Sequence, residues 1–168
     1  GLALLPAQQI ILLAPNLAGR PCRDAKWPDQ KKWFEFLSAI SAFFREKKFQ
    51  EVKTPTLVSC PGTEPTLEVF ETIFQCGREK QSFFLPTSPE LNLKKLLVEG
   101  AERIFEIAAV FRNGERTERH APEFTMLEWY RTGFDDHALM DEVAALLSAI
   151  LPAGTLREPP EKLTYRDA

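Results

Sequence analysis

From Asp29 the chain reads DQKKWFEFLSAISAFFREKKF, with Trp33, Phe36, Leu37, Ile40, Phe43 and Phe44 on one helical stripe and Lys and Glu opposite it. That spacing predicts an amphipathic helix with Asp29 at its N-cap. QEVKTP follows as a short strand ended by Pro55, and TPTLVSCPGTEPTLE, with Pro55, Pro61, Gly62 and Pro65, reads as an irregular loop. VFETIFQ and SFFLPT read as strands with Cys76 to Gln81 between them. SPELNLKKLLVEG reads as a helix with Ser88 as N-cap, Pro89 at the first helical position, Glu90 in the first turn and Gly100 at the end.

Two further runs alternate. RIFEIAAVFR sets Phe105, Ile107, Ala109 and Phe111 on one face, and Ile104, Glu106, Ala108, Val110 and Arg112 on the other. EFTMLEWY sets Phe124, Met126, Glu128 and Tyr130 on one face, and DDHALMDEVAALLSAIL closes the pattern as an amphipathic helix. Strands in tight succession with helices grouped around them predict an α+β fold with a mainly antiparallel sheet. The expected organisation is a lead-in over 1–28 with little periodicity, a folded core over 29–151, and a Pro-rich linker over 152–168.

Composition narrows the function classes. The 168 residues suffice for one domain with a core. A net charge of −3 argues against a general nucleic-acid surface, so any anion site must be local. Cys22, Cys60 and Cys76 are odd in number and far apart, which argues against a disulfide framework or a zinc site and for a reducing cytoplasm. The apolar start lacks a positive n-region and is interrupted by Pro6, Gln8 and Gln9, which argues against a signal peptide or a membrane span. The sequence does not open on Met, as expected of a processed or excised piece.

Candidate chemistry gathers between the two alternating strands. Arg116, Arg119 and His120 lie in the connecting loop, Arg112 ends one strand, and Glu128 stands among apolar neighbours on the other. A charge buried unpaired costs several kcal/mol, so a partner, water or ligand must meet it. Arginine matches phosphate oxygens with a planar fork, and Phe124 offers a ring to a flat base. The physical reading is a nucleotide polyphosphate on the hairpin and an amine against Glu128. The plain alternatives are a solvated loop with weak surface pairs among Glu115, Arg116, Glu118 and Arg119, Phe124 and Met126 as core, Glu128 in a structural ion pair, and Glu90 as a helix-terminal charge.

The stretch FRNGERTERHAPEFTMLEWYR resembles motif 2 of the class II aminoacyl-tRNA synthetases: Phe-Arg-x-Glu, a loop, then Phe-Thr-Met-Leu-Glu. LPTSPELNLKKLL, the motif 2 run and FDDHALMDEVAALL look most like the elongation factor P lysyltransferase family, a lysyl-tRNA-synthetase-like group, and the helix from Asp29 with Pro55 resembles motif 1. The resemblance covers about residues 29–168. It implies a class II synthetase-like antiparallel sheet flanked by helices. It also implies activation of lysine or β-lysine with ATP and Mg2+, followed by transfer to a lysine side chain of elongation factor P. Arg112 would hold the α-phosphate and the substrate carboxylate. Asn113, Gly114, Glu115, His120 and Ala121 would line the ATP, and Phe124 would stack on adenine. Ser88, Pro89 and Glu90 would contact the amino acid, and Glu128 and Tyr130 would face its amines. A homodimer in the cytoplasm is implied, with no membrane and with tRNA not expected as a partner.

Gly114 and Ala121 depart from the family pattern, which has Glu and Asn there, and nothing matches the Gly-rich motif 3 with its ATP-clamping Arg. No metal ligand is expected within these residues. The expectation is therefore the N-terminal part of a catalytic domain, carrying motifs 1 and 2 only and inactive by itself. The alternatives are a lysyl-tRNA synthetase fragment or a non-catalytic binding or dimerisation paralogue.

Overall fold

The computed structural model describes residues 27–62, 64–114, 120–156 and 162–163, together with the backbone of residues 12 and 13. Two strands dominate it. β5 (Arg103–Phe111) and β6 (Glu123–Arg131) form an antiparallel pair with Ile104 opposite Tyr130, Glu106 opposite Glu128 and Val110 opposite Phe124. β1 (Leu12–Leu13) adds to β6 antiparallel, and β2 (Gln50–Glu51) adds to β5 in parallel, giving the order β1-β6-β5-β2. β3 (Phe70–Cys76) and β4 (Glu79–Leu85) form a separate two-stranded ribbon. The fold is α+β, and its sheet is small and antiparallel apart from β2. The lead-in thus contributes a strand, which its lack of periodicity concealed.

One face of β5 and β6 is the core. Phe105, Leu127 and Trp129 are buried against Ile40, Phe43 and Phe44 of the first helix, Phe49 just beyond it, and Leu146 of the last helix. The first helix, α1 (Trp27–Glu46), starts two residues before the expected cap, so Asp29 lies in its first turn. The predicted stripe is correct: Ile40, Phe43 and Phe44 are buried, and Phe44 stacks on Phe105 with ring centroids 4.8 Å apart.

The end of α1 shows how sequence and packing interlock. Phe49 N donates to Phe44 O and Lys48 N to Arg45 O, both at 2.9 Å, while Lys48 takes φ 63°. This is a Schellman ending, in which the residues flanking the turn meet across it. Phe44 and Phe49 do so, with centroids 5.1 Å apart. Glycine ordinarily holds the left-handed position, so here aromatic packing holds a lysine in it.

α3 (Asp136–Ile150) is capped by Asp135, whose carboxylate accepts from Ala138 N. Its buried Glu142 accepts from Trp129 Nε1 at 3.1 Å and Arg131 at 2.7 Å, fastening the helix to β6. α2 (Glu90–Val98) begins one residue later than expected. Pro89 occupies its N-cap, and Ser88, outside the helix, accepts from Glu90 N at 3.4 Å. A proline has no N–H to leave unsatisfied, so it fits this end of a helix. Leu93 of α2 packs on Ile104 and Tyr130, on the sheet face opposite the aromatic core.

Candidate functional site

The antiparallel register brings the predicted residues together. Directly opposed residues share a face, so Ile104, Glu106, Ala108 and Val110 of β5 lie with Tyr130, Glu128, Met126 and Phe124 of β6. Arg112 continues β5 by one step, its N–H donating to Pro122 O at 2.9 Å.

At the loop end of this face Arg112 lies with its guanidinium carbon 5.2 Å from the centre of the Phe124 ring. Its Nε is buried and has no hydrogen-bond partner among the described residues. A buried guanidinium nitrogen without an acceptor is costly, and an anion would relieve it. Phe124 itself is half-buried against Ala108, Val110 and Met126, so it is part of a small apolar cluster as well as a ring beside a cation.

At the other end two carboxylates face each other. Glu106 and Glu128 are opposed across the strands and are 1% and 0% exposed. Like charges in this position repel. Glu106 is neutralised from the side: Thr54 N donates to it at 3.0 Å, Thr54 Oγ1 at 2.8 Å, and Lys53 Nζ lies 3.6 Å away. Glu128 accepts from Tyr130 Oη at 2.7 Å. Burial first, then the charge and hydrogen bond of Glu128, then the charge of Glu90, push the Tyr130 hydroxyl far above the usual phenol range. Tyr130 therefore stays an O–H donor, and Glu128 remains the acceptor. Glu90 reaches this electrostatic neighbourhood from the first turn of α2 and is also paired with Lys94 on its own helix.

The other predicted residues fall into place unevenly. Ser88 is half-buried and Pro89 fully buried beside Glu90. Asn113 is exposed, its N–H donating to Glu68 O at 2.9 Å, and Gly114 N–H is closed onto Asn113 Oδ1 at 3.0 Å. His120 is exposed, while Ala121 is only 5% exposed. Glu115, with Arg116, Glu118 and Arg119, lies outside the described residues, as does Cys22. Among the described residues no group of three or more His, Cys, Asp or Glu is placed to hold a metal ion, and no helix is long and apolar enough to cross a membrane.

Glu106 and Thr54 are the contributors that sequence reasoning passed over. The alternation already put Glu106 on the face of Arg112, but its role emerges only once the register sets it against Glu128.

The model for class II tRNA synthetases of the D, K and N group matches residues 31–168. The chain belongs to this family. Its relatives include proteins named elongation factor P–(R)-beta-lysine ligase. The one from Vibrio cholerae serotype O1 (strain ATCC 39315 / El Tor Inaba N16961) is 45% identical over 134 residues, covering 79% of this chain and 40% of that protein. Those from Vibrio atlanticus (strain LGP32) and Haemophilus influenzae (strain ATCC 51907 / DSM 11121 / KW20 / Rd) are 42% identical over 140 residues and 41% identical over 149 residues. They match 82% and 88% of this chain and 42% and 44% of their own lengths. This class II synthetase chain thus spans less than half the length of the curated relatives it matches.

Proposed function

We propose that this chain carries part of an enzyme that activates lysine or β-lysine with ATP and passes it to a lysine side chain of elongation factor P. The observation that carries the reading is the division of one sheet face: a guanidinium whose buried Nε has no partner among the described residues, beside an aromatic ring, at one end, and buried acceptors at the other. Phe124 and Glu128 are four residues apart on β6, about 13 Å at roughly 3.3 Å per residue. Met126 and Ala108 floor the space between them. That span suits an α-phosphate at the Arg112 end joined to an aliphatic chain whose amines lie towards Glu128, Tyr130 and Glu90. The names of the relatives point the same way.

In this reading the substrate carboxylate attacks the α-phosphorus, forming a phosphoryl–oxygen bond as pyrophosphate leaves. No side chain need remove a proton, because the attacking carboxylate is already ionised. Arg112 orients the two anions and offsets their charge, Phe124 and Asn113 hold the nucleotide, and His120 reaches the outer phosphates. The residues described fit ATP through Arg112 and Phe124. Magnesium, bound with the nucleotide, would supply further phosphate neutralisation. The amine of the acceptor lysine then attacks the activated carbonyl and AMP leaves.

The chain is taken to act in the cytoplasm, as a homodimer built on α1 and the segment to Pro55. The test is intact-mass measurement of elongation factor P incubated with the complete gene product, ATP and β-lysine or lysine. An ATP-dependent gain of one lysyl mass is expected. A protein that activates the amino acid but loads tRNA(Lys) instead would move the assignment to lysyl-tRNA synthetase, and no reaction with either acceptor would leave a non-catalytic paralogue.

A further inference from the structure

Glu106 is buried on the site face, and the reaction proposed above gives it no part. Both of its oxygens are taken up by the segment that follows β2. Thr54 N donates to Oε1 at 3.0 Å and Thr54 Oγ1 to Oε2 at 2.8 Å, with Lys53 Nζ 3.6 Å from Oε1. Val52 N, which donates to Phe105 O at 3.0 Å, ties the same segment to β5. One donor on each oxygen fixes the rotation of the carboxylate, and the burial of Thr54 keeps water from competing. Directly across the strands stands Glu128. Opposed side chains begin only about 4.5–5.5 Å apart at Cβ. An ionised carboxylate has no hydrogen to offer a second one, so the two repel. Glu106 is pinned by Thr54 and cannot give way. Glu128 therefore takes the orientation that the pair allows, and Tyr130, next on the same face, donates to it there at 2.7 Å.

We propose that Glu106 is a positioning residue for the amine end of the site, with Thr54 as its anchor. It turns the Glu128 carboxylate away from itself and towards the substrate's ammonium, and it adds a second negative charge behind that carboxylate. Lys53, whose side chain is largely exposed, offsets part of the added charge. The inference rests on the amine reading of Glu128 and deepens it, because Glu106 touches no substrate and acts through its neighbour. The result is selectivity. A chain that carries a distal ammonium gains from both charges, whereas the same chain without the amine gains from neither.

Titration calorimetry of the complete gene product tests the proposal, with circular dichroism confirming that each variant is folded. The ligands are ATP, lysine and β-lysine, and 2- and 3-aminohexanoate, which are the same chains without the distal amine. Glu106→Gln removes the charge and gives position 106 an N–H that can donate to Glu128 and draw it back. It should weaken the diamino acid by about tenfold and leave ATP and the aminohexanoates within about twofold. Thr54→Val should act in the same direction, and Thr54→Ser, which keeps the hydroxyl, should restore binding. Lys53→Met leaves the buried pair intact and uncovers its charge, so at low ionic strength it should tighten the diamino acid by about threefold. A merely structural contact between Thr54 and Glu106 predicts no such gain. A diamino-to-monoamino ratio unchanged within about twofold in folded Glu106→Gln, or an equal loss for ATP, would overturn the proposal. Should Glu106→Gln not fold, Lys53→Met decides, and unchanged or weakened binding of the diamino acid would overturn it. An unmodified protein that binds ATP but does not prefer the diamino acid to the aminohexanoate would overturn the amine reading of Glu128 and this inference with it.

Discussion

Replacing Glu128 with Gln should make the protein a poorer enzyme while leaving its stability nearly unchanged. Glu128 is fully buried and faces Glu106 across the strands, the second carboxylate being held by two bonds from Thr54 and by Lys53. Removing one charge from an opposed pair of like sign relieves about 0.2–1 kcal/mol. The amide oxygen can still accept from Tyr130, as a weaker neutral bond in place of a charge-assisted one, which offsets part of that gain. The midpoint of thermal unfolding should therefore move by less than about 4 °C. A substrate ammonium, however, loses a charge-assisted bond contributing about 1.5–3 kcal/mol, which weakens the diamino acid by roughly 10- to 150-fold. ATP, bound at the Arg112 end, should change less than about twofold. The assay pairs denaturant unfolding with separate titrations of ATP and of lysine and β-lysine. Equal losses for both ligands, or a destabilisation above about 1 kcal/mol, would show that Glu128 is a structural carboxylate and refute the amine role.

Arg112→Ala should leave unfolding cooperative and lower pyrophosphate exchange by more than about tenfold, equivalent to ~1.4 kcal/mol of transition-state stabilisation, as read by steady-state exchange rates. Lys48→Gly should stabilise the fold by about 1 kcal/mol in urea titration, because its φ of 63° disfavours any residue with a Cβ. Glu142→Ala should destabilise by about 3 kcal/mol, since it strands the Trp129 N–H and the Arg131 charge, while Glu142→Gln should cost distinctly less in the same unfolding experiment.

The site was legible in sequence where period-2 alternation carried it. Alternation alone puts Arg112, Phe124, Glu128 and Tyr130 each on a strand face, and the register merges those faces into one. Helical spacing likewise located the stripe of α1 and the existence of α3. Contacts between distant segments were not legible. Glu106 meets Thr54, and Glu68 meets Gly114, through loop geometry that no local pattern encodes. Gly114 looked in sequence like a lost carboxylate; in the fold it is a left-handed residue against which another carboxylate rests. The start of α1 and the cap of α2 differ from the sequence pattern by one or two residues, because Asp29 and Ser88 favour capping while the helices begin at Trp27 and beyond Pro89. β1 was invisible because two residues completing a sheet edge need no periodicity of their own.

The most direct measurement of the central claim is ATP–pyrophosphate exchange by the complete gene product, run with α-lysine, with β-lysine and with no amino acid. The account predicts exchange that depends on a diamino acid and disappears in Arg112→Ala. Exchange that is absent with both isomers, or that proceeds equally well with a monoamino acid of the same length, would contradict a face built to hold a nucleotide at Arg112 and amines at Glu128.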